Sequence, residues 1–428
     1  MRGFWKHFVL AVLVCIAIGP GSAPAVDWKR LDETTALKIF FERNLDLIAS
    51  QFQIDRALAV EWMAGALPNP VLSFGLNELN GVLTARPTEV GSQGLGYNFF
   101  LTQRLVMAGR RGLRMESARF GREASEADFR DTVRWMVNQV RRALIDLLLA
   151  QKTCSVLREN MITFEKITQA NRVRERFGDI SGTELERIEV ERLKSLGELD
   201  LATSDLVAKK ADFAKLLNWP DASMDLEVES SGAMPPASIE DLKEQDLLDQ
   251  AYHHRPDLLA QDLRIQQLTK ELELARRLVV PDLTVSGGYL QDAGNLQIDT
   301  GAIVVSGELP VLYQYEGEVG KAASALDVAR SEREMLKNRI RMEISTAMAS
   351  LRSALRIISR FESTVLPRIG KSRAAIEYSF AQGSSGLIDL LDAERNYKSM
   401  MLDYYASEAE RSTAYADLRS ALGEEGGL

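Results

Sequence analysis

The chain states one pattern twice. Asp46 through Pro70 aligns without gaps on Asp257 through Pro281, an offset of 211 residues. Asp46-Leu47-Ile48-Ala49 answers Asp257-Leu258-Leu259-Ala260, and Ile54, Ala64, Leu67 and Leu72 answer Ile265, Ala275, Leu278 and Leu283. Further on, Val133, Val137, Val140, Leu144 and Leu147 answer Ile340, Ile344, Ala347, Leu351 and Ala354 at offset 207. Gly178, Glu184, Leu185 and Glu189 then answer Gly383, Asp389, Leu390 and Glu394 at offset 205. The offset only shrinks, so both halves hold the same elements in the same order, and the fold must accommodate a duplicated unit.

Each half reads as helix, strand, strand, long helix, helix. The first helix covers Leu31 to Leu67 and stops at Pro68-Asn69-Pro70, because proline cannot continue a helix and restricts its predecessor. Leu72, Phe74 and Leu76 then alternate with Ser73, Gly75 and Asn77. After a loop from about Asn80 to Gly94, Leu95, Tyr97, Phe99 and Leu101 alternate with Gly96, Asn98, Thr102 and Arg104. In the second half Leu283, Val285 and Tyr289 alternate with Thr284, Ser286 and Gly288. Ile303, Val305 and Leu309 alternate with Ala302, Ser306 and Glu308. Alternation with one apolar and one polar face predicts hairpins over about 71–106 and 282–310. One such segment alone would be an ordinary half-buried hairpin. Four at matching places, bearing aromatics and flanked by long helices, point to a barrel.

The helices after the strands are long, from about Gly109 to Arg176 and from about Glu316 to Ala381. At 1.5 Å per residue each would run roughly 100 Å. Their apolar residues step by four and three, the spacing of packed helix pairs. Pro367 predicts a kink in the second without ending it. Turns at Gly178–Gly182 and Gly383–Gly386 lead into shorter returning helices, Thr183–Leu217 and Leu387–Leu422, and Glu240–Leu278 precedes the second hairpin. The first repeat thus occupies 26–220, the second 240–428, and 221–239 connects them.

The first 25 residues predict a secretory signal. Arg2 and Lys6 are basic, Phe8 to Ile18 is apolar but too short for a membrane helix, and Ala23-Pro24-Ala25 offers a cleavage site. Cys15 lacks the preceding small residue of a lipidation signal. Cleavage leaves Cys154 alone, so no intrachain disulfide can form, and a buried apolar role on a helix is expected for it. The net charge of −9 comes without a basic block, which argues against nucleic acid. No long apolar segment follows the signal, so any membrane entry must be as a β-barrel. Single-chain membrane barrels need about eight strands, so four must be completed by further copies of the chain.

In this order, Ala64 to Pro70 before the first strand, Arg255-Pro256-Asp257-Leu258, Pro281-Asp282-Leu283, Leu309-Pro310-Val311 and Gly383 to Arg395 carry a resemblance. The mature chain resembles the outer membrane efflux protein family, the TolC-like exit ducts of tripartite exporters, over nearly its whole length. Its Leu-Pro-Asn-Pro form is similar to the branch serving heavy-metal exporters of the resistance-nodulation-division type. The resemblance implies a fold mainly α with a β-barrel contribution, four barrel strands per protomer and a long periplasmic helical tunnel. It implies a homotrimer in the outer membrane of a Gram-negative bacterium, working with a periplasmic adaptor and an inner-membrane pump.

No nucleophile, acid/base pair or metal cluster is visible, as suits a passive duct without enzymatic activity or cofactor. His253 and His254 are adjacent and point apart, a poor metal site, and surface or junction packing is expected for them. Asp389 and Asp392 share a helix face at the second turn. Read alone they are a solvated helix start favoured by the dipole. The resemblance instead matches them to the acidic rings at the periplasmic entrance, where copies of both would attract cations. The tyrosine and arginine that help lock that entrance in the best-known member fall on Phe380 and Ser385, so that lock is absent or built differently. Asp179, Glu184, Phe380, Gly383 and Ser385 are second-rank candidates for the entrance or for adaptor docking. Asn98, Thr102, Thr284, Ser286 and Glu308 are expected to line the lumen. A periplasmic adaptor is the alternative, but it would carry a lipoyl-like β domain between its helices. A coiled-coil scaffold would leave the apolar strand faces unexplained.

Overall fold

The computed structural model describes residues 31–77, 96–219, 227–228, 243–291 and 299–424. The signal peptide, the loop expected at 80–94 and nearly all of the 221–239 connection lie outside these residues. In chain order the elements are α1 (Glu33–Arg43), α2 (Leu45–Gly65), β1 (Val71–Asn77), β2 (Gly96–Leu105), α3 (Arg110–Arg176) and α4 (Gly182–Leu216). There follow α5 (Glu244–His254), α6 (Pro256–Arg276), β3 (Leu283–Gln291), β4 (Asp299–Gly307), α7 (Glu316–Arg360), α8 (Leu366–Ala381) and α9 (Leu387–Ala421).

Two helices read as continuous are each broken once. Asn44 caps α1 with its backbone N–H on the Phe40 carbonyl, and its amide donates to the Leu216 carbonyl at 2.9 Å. That tertiary bond holds Asn44 in extended backbone and starts α2 afresh. Pro256 divides α5 from α6, sitting at the first turn of a helix where a missing N–H costs nothing. The kink expected at Pro367 takes the form of a π-turn over Phe361–Val365. Proline removes one helical donor and crowds the carbonyl four residues back, and the wider turn absorbs both.

The chain forms two compact units, each built from both repeats. One holds residues 31–45, Arg134–Leu247 and Glu343–Leu428, and its regular elements among the described residues are helices, with one isolated bridge between Leu31 and Val228. Arg141, nearly buried, pairs with Glu33 at 2.6 Å, and Arg134 donates to the Ser420 carbonyl at 2.7 Å. Asn138 and Arg142 both donate to Asp417, tying α3 to α9. The repeated seam is buried as its spacing requires: Val137, Val140, Leu144 and Leu147 in α3, and Ile344, Ala347, Leu351 and Ala354 in α7. Cys154 is buried.

The other unit, Asp46–Val133 with Leu248–Met342, contains an antiparallel sheet whose described strands lie in the order β1-β2-β3-β4. The two hairpins join because β2 of the first repeat pairs with β3 of the second, Phe99 opposite Tyr289 and Thr102 opposite Ser286. The register puts Leu72, Phe74, Phe99, Leu101, Val285, Tyr289, Ile303 and Val305 on one face. That face is open: Phe74 is 67% exposed and Ile303 83%. Asn98, Thr102, Thr284 and Ser286 fall together on the other, with a 2.9 Å hydrogen bond between the Thr102 and Ser286 hydroxyls. Val71, Phe100, Leu290 and Val304 share that second face, so it is polar in part only. Phe100 lies across Gly288, where a Cβ would come within 2.3 Å of its ring and of the Phe99 carbonyl.

Strands pass into helices at a corner organised by Asp282. Its carboxylate accepts from Arg104 at 2.6 Å, from the Met107 backbone at 3.0 Å and from Arg110. Ala108 and Gly109, both at positive φ, make the bend, and Arg277 donates to the Ala108 carbonyl at 2.9 Å. The helices beyond are bridged by Arg122 to Glu61, Arg264 to Asp128 and Arg333 to Asp262. Among the described residues no helix is long and apolar enough to cross a membrane.

Candidate functional site: the paired helical turns

The turns at Gly178 and Gly383 are copies of one construction. Gly178 (φ +80) and Gly383 (φ +73) take the left-handed conformation that glycine alone adopts freely. After each, a backbone N–H closes back five residues, Asp179 to the Arg174 carbonyl and Ser384 to the Ser379 carbonyl, both at 2.9 Å. These bonds satisfy carbonyls orphaned at the helix end.

The returning helices also start alike. Glu184 accepts from the Ser181 backbone at 2.9 Å while Ser181 accepts from the Glu184 backbone, a complete capping box. Those bonds from Ser181 hold the Glu184 carboxyl below its ordinary pKa. At the matching place Asp389 Oδ2 accepts from the Gly386 backbone and from the Ser385 hydroxyl, each at 3.1 Å. Asp389 is therefore a cap as well as an exposed acid, and Ser385 supports it.

Asp392, one turn on, is exposed and pairs with Arg395 at 3.3 Å. Arg395 also grips Glu191 on α4, so it ties the returning helices of the two repeats together. The guanidinium holds the Glu191 carboxyl below its usual pKa. Phe380 packs with Ile167 onto Phe164, Ile188, Leu387 and Leu391, and the Arg174 guanidinium lies 5.2 Å above its ring. The position thus fills a core beneath both turns. Asp179 is exposed, with its backbone engaged as above. The structure brings Asp179, Glu184, Phe380, Gly383, Ser385, Asp389 and Asp392 to one end of the helical unit.

The strand candidates divide by position. Asn98, Thr102, Thr284 and Ser286 share a face, whereas Glu308 lies one residue beyond β4 and is exposed. His253 and His254 are exposed and turn their Nδ1 atoms to the Asp249 and Gln250 carbonyls, at 2.6 and 2.9 Å. Among the described residues no group of three acids, histidines or cysteines is placed to hold a metal.

Arg395 and Glu191 were missed by sequence reasoning, although Arg395 follows Asp392 at the three-residue spacing of a helical ion pair. Glu394 stands out in the sequence only as the repeat counterpart of Glu189. It is 1% exposed and hydrogen-bonded by Arg373 at 2.9 Å. Burial, with the neighbouring Glu377, pushes its carboxyl up to about 7, against the opposing pull of Arg373.

A family model described as outer membrane efflux protein matches residues 37–218 and 247–424, one segment in each repeat. The chain belongs to the outer membrane efflux protein family. The cobalt-zinc-cadmium resistance protein CzcC of Cupriavidus metallidurans is 23% identical over 393 residues, covering 91% of this chain and 89% of that one. Among solved structures, the Campylobacter jejuni CmeC outer membrane channel superposes with a TM-score of 0.78 at 15% identity, covering 92% of this chain and 86% of that one. The Vibrio cholerae outer membrane protein VceC gives 0.75 at 16%, covering 91% and 96%. CusC gives 0.75 at 16%, covering 95% of each chain. The fold is thus that of the TolC-like channels, and the chain is an outer-membrane efflux channel protein rather than an enzyme. Its helical part belongs to the periplasm.

Proposed function

We propose that this protein is the exit duct of a tripartite exporter, a homotrimer through which solutes pass by diffusion. The observation that carries this reading is the sheet. Four strands present an open apolar face, and β1 and β4 are edges of that sheet. An edge is a template for another strand, and only a closed barrel satisfies the backbone in lipid. Copies of the chain would meet edge to edge, with Leu72, Phe74, Phe99, Leu101, Ile303 and Val305 toward lipid. Asn98, Thr102, Thr284 and Ser286 would then face the lumen.

The paired turns form the entrance in this reading, and Asp389 and Asp392 its constriction. Asp389 keeps one carboxylate oxygen out of its capping bonds, and its exposure leaves the charge available to a passing ion. The same end would meet a periplasmic adaptor, with Asp179 and Glu184 at its rim, and an inner-membrane pump would supply the energy. The similarity to the cobalt-zinc-cadmium resistance protein CzcC supports a heavy-metal substrate, and the pump would then be of the resistance-nodulation-division type.

Ion conductance of the purified protein in a planar bilayer, beside an Asp389→Asn/Asp392→Asn variant, tests this. Cation-preferring steps in the wild type that lose their preference in the variant are expected. Steps of unchanged selectivity would return both aspartates to helix capping and leave the duct standing. A folded protein that never enters lipid would overturn the duct itself.

A further inference from the structure

Two turns beyond the start of α9, Glu394 is sealed inside the helical unit with a second carboxylate beside it. Arg373 on α8 bonds Glu394 at 2.9 Å and Glu377 at 3.1 Å, and stacks on the Tyr397 ring at 4.3 Å. Both carboxylates converge on one atom, the Arg373 Nε, so the two acids lie side by side. Two carboxylates crowded on one nitrogen repel each other, which favours a proton on one of them. With that proton, the cluster is one guanidinium, one carboxylate and one neutral acid. Without it, two carboxylates share a single cation in a buried place.

The surrounding charges offer little relief. From α3, Glu159 stands 3.9 Å from Arg373 and adds negative charge, while Asn160 bonds Ser195 of α4. From α4, Glu198 takes Lys398 at 2.5 Å and Glu191 takes Arg395, so both neighbouring cations of α9 are already engaged. A cavity of about 60 Å³, lined by Ser155, Glu159, Asn160, Tyr397 and Lys398 among others, lies against the cluster and has room for water.

The element that Arg373 fastens is bounded by two bends. α8 is preceded by the π-turn of Phe361–Val365 and followed by Gly383 at φ +73. We propose that Glu394, Glu377 and Arg373 form a proton-operated latch that holds α8 against α9: protonated it is closed, and deprotonation loosens it. The direction follows from the geometry: a proton relieves the crowding of two carboxylates on one guanidinium nitrogen around the buried Glu394. The carboxyl's raised pKa of about 7 when closed, against the ordinary 4.5 when the segment swings into water, agrees. Closure is favoured at low pH and is lost progressively as pH climbs from the ordinary value toward 7. The latch concerns this segment's motion and does not require the acidic constriction proposed above.

Hydrogen exchange of the full-length protein in lipid nanodiscs, corrected for intrinsic exchange rates, reads the latch directly. Protection of residues 366–381 is expected to fall at least tenfold between pH 5 and pH 7.5. In Glu394→Gln, which keeps a hydrogen-bonding group without a titrating one, that pH dependence should vanish. Glu377→Gln, at a more exposed site, should move the fall to lower pH, since it removes the like charge crowded beside Glu394. Equal protection at both pH values in the wild type, or an unchanged fall in Glu377→Gln, would overturn the proposal even if Glu394→Gln failed to fold.

Discussion

Arg104 on β2 reaches Asp282 at the foot of β3 at 2.6 Å, and the same carboxylate takes Arg110 and the Met107 backbone. One side chain of the second repeat thereby fixes the place where the first repeat turns from strand to helix. Asp282→Ala would leave Arg110, only 11% exposed at its side chain, without its counter-ion. Breaking a partly buried pair of this kind should cost about 3 kcal/mol. Heat-induced dissociation of the reconstituted protein, followed on a gel, should come well below the wild-type temperature.

Gly288 gives a second prediction. A methyl group there would meet both the Phe100 ring and the Phe99 carbonyl at 2.3 Å, and the carbonyl cannot step aside. Gly288→Ala should destabilise the sheet by about 1–3 kcal/mol. Gly287→Ala, one residue away with nothing within 4 Å, should be close to neutral. Both can be compared by the same heat-dissociation assay.

Gly178 and Gly383 should respond alike to alanine. Each substitution forces a left-handed backbone onto a residue with a Cβ, costing about 1–2 kcal/mol. Because no neighbour lies within 4 Å of either added methyl, the loss should be conformational. Gly178→Asn and Gly383→Asn should recover part of it. Local hydrogen exchange at each turn measures the difference.

Much of this fold was legible before any coordinates. The seam from Val133 to Leu147 and its copy from Ile340 to Ala354 were visible because burial imposes a coiled-coil period on both repeats. The strand faces were visible because pairing imposes a period of two. What could not be read depended on partners far away in sequence. Asn44 breaks its helix for a carbonyl 172 residues distant, and Arg395 meets Glu191 across 204 residues. The joining of the hairpins through β2 and β3 is of the same kind. Glu394 was hidden for another reason: a glutamate in a charged helix is usually solvated, and only packing reveals that this one is sealed. At the turns the acidic pattern was read, but the capping role of Asp389 and the pairing of Asp392 needed geometry.

Arg395→Ala should change both ends of its bridge. Asp392 and Glu191 would each lose a cation, so cation preference in bilayer recordings should rise while the α4–α9 contact weakens. The pH dependence has the opposite sign to that of Glu394. Arg395 depresses the Glu191 carboxyl, so its stabilisation is complete above the ordinary 4.5 and is lost as pH falls through the lowered value. Acid unfolding of the helical unit should therefore lose part of its steepness below pH 4.5 in the variant.

In the proposed duct the open apolar sheet closes, within lipid, against further copies of the same chain. The mass of particles released intact from lipid nanodiscs tests it most directly. Three chains per particle, inserted and stable without detergent, is the predicted result. A monomer that remains in the aqueous phase would contradict it.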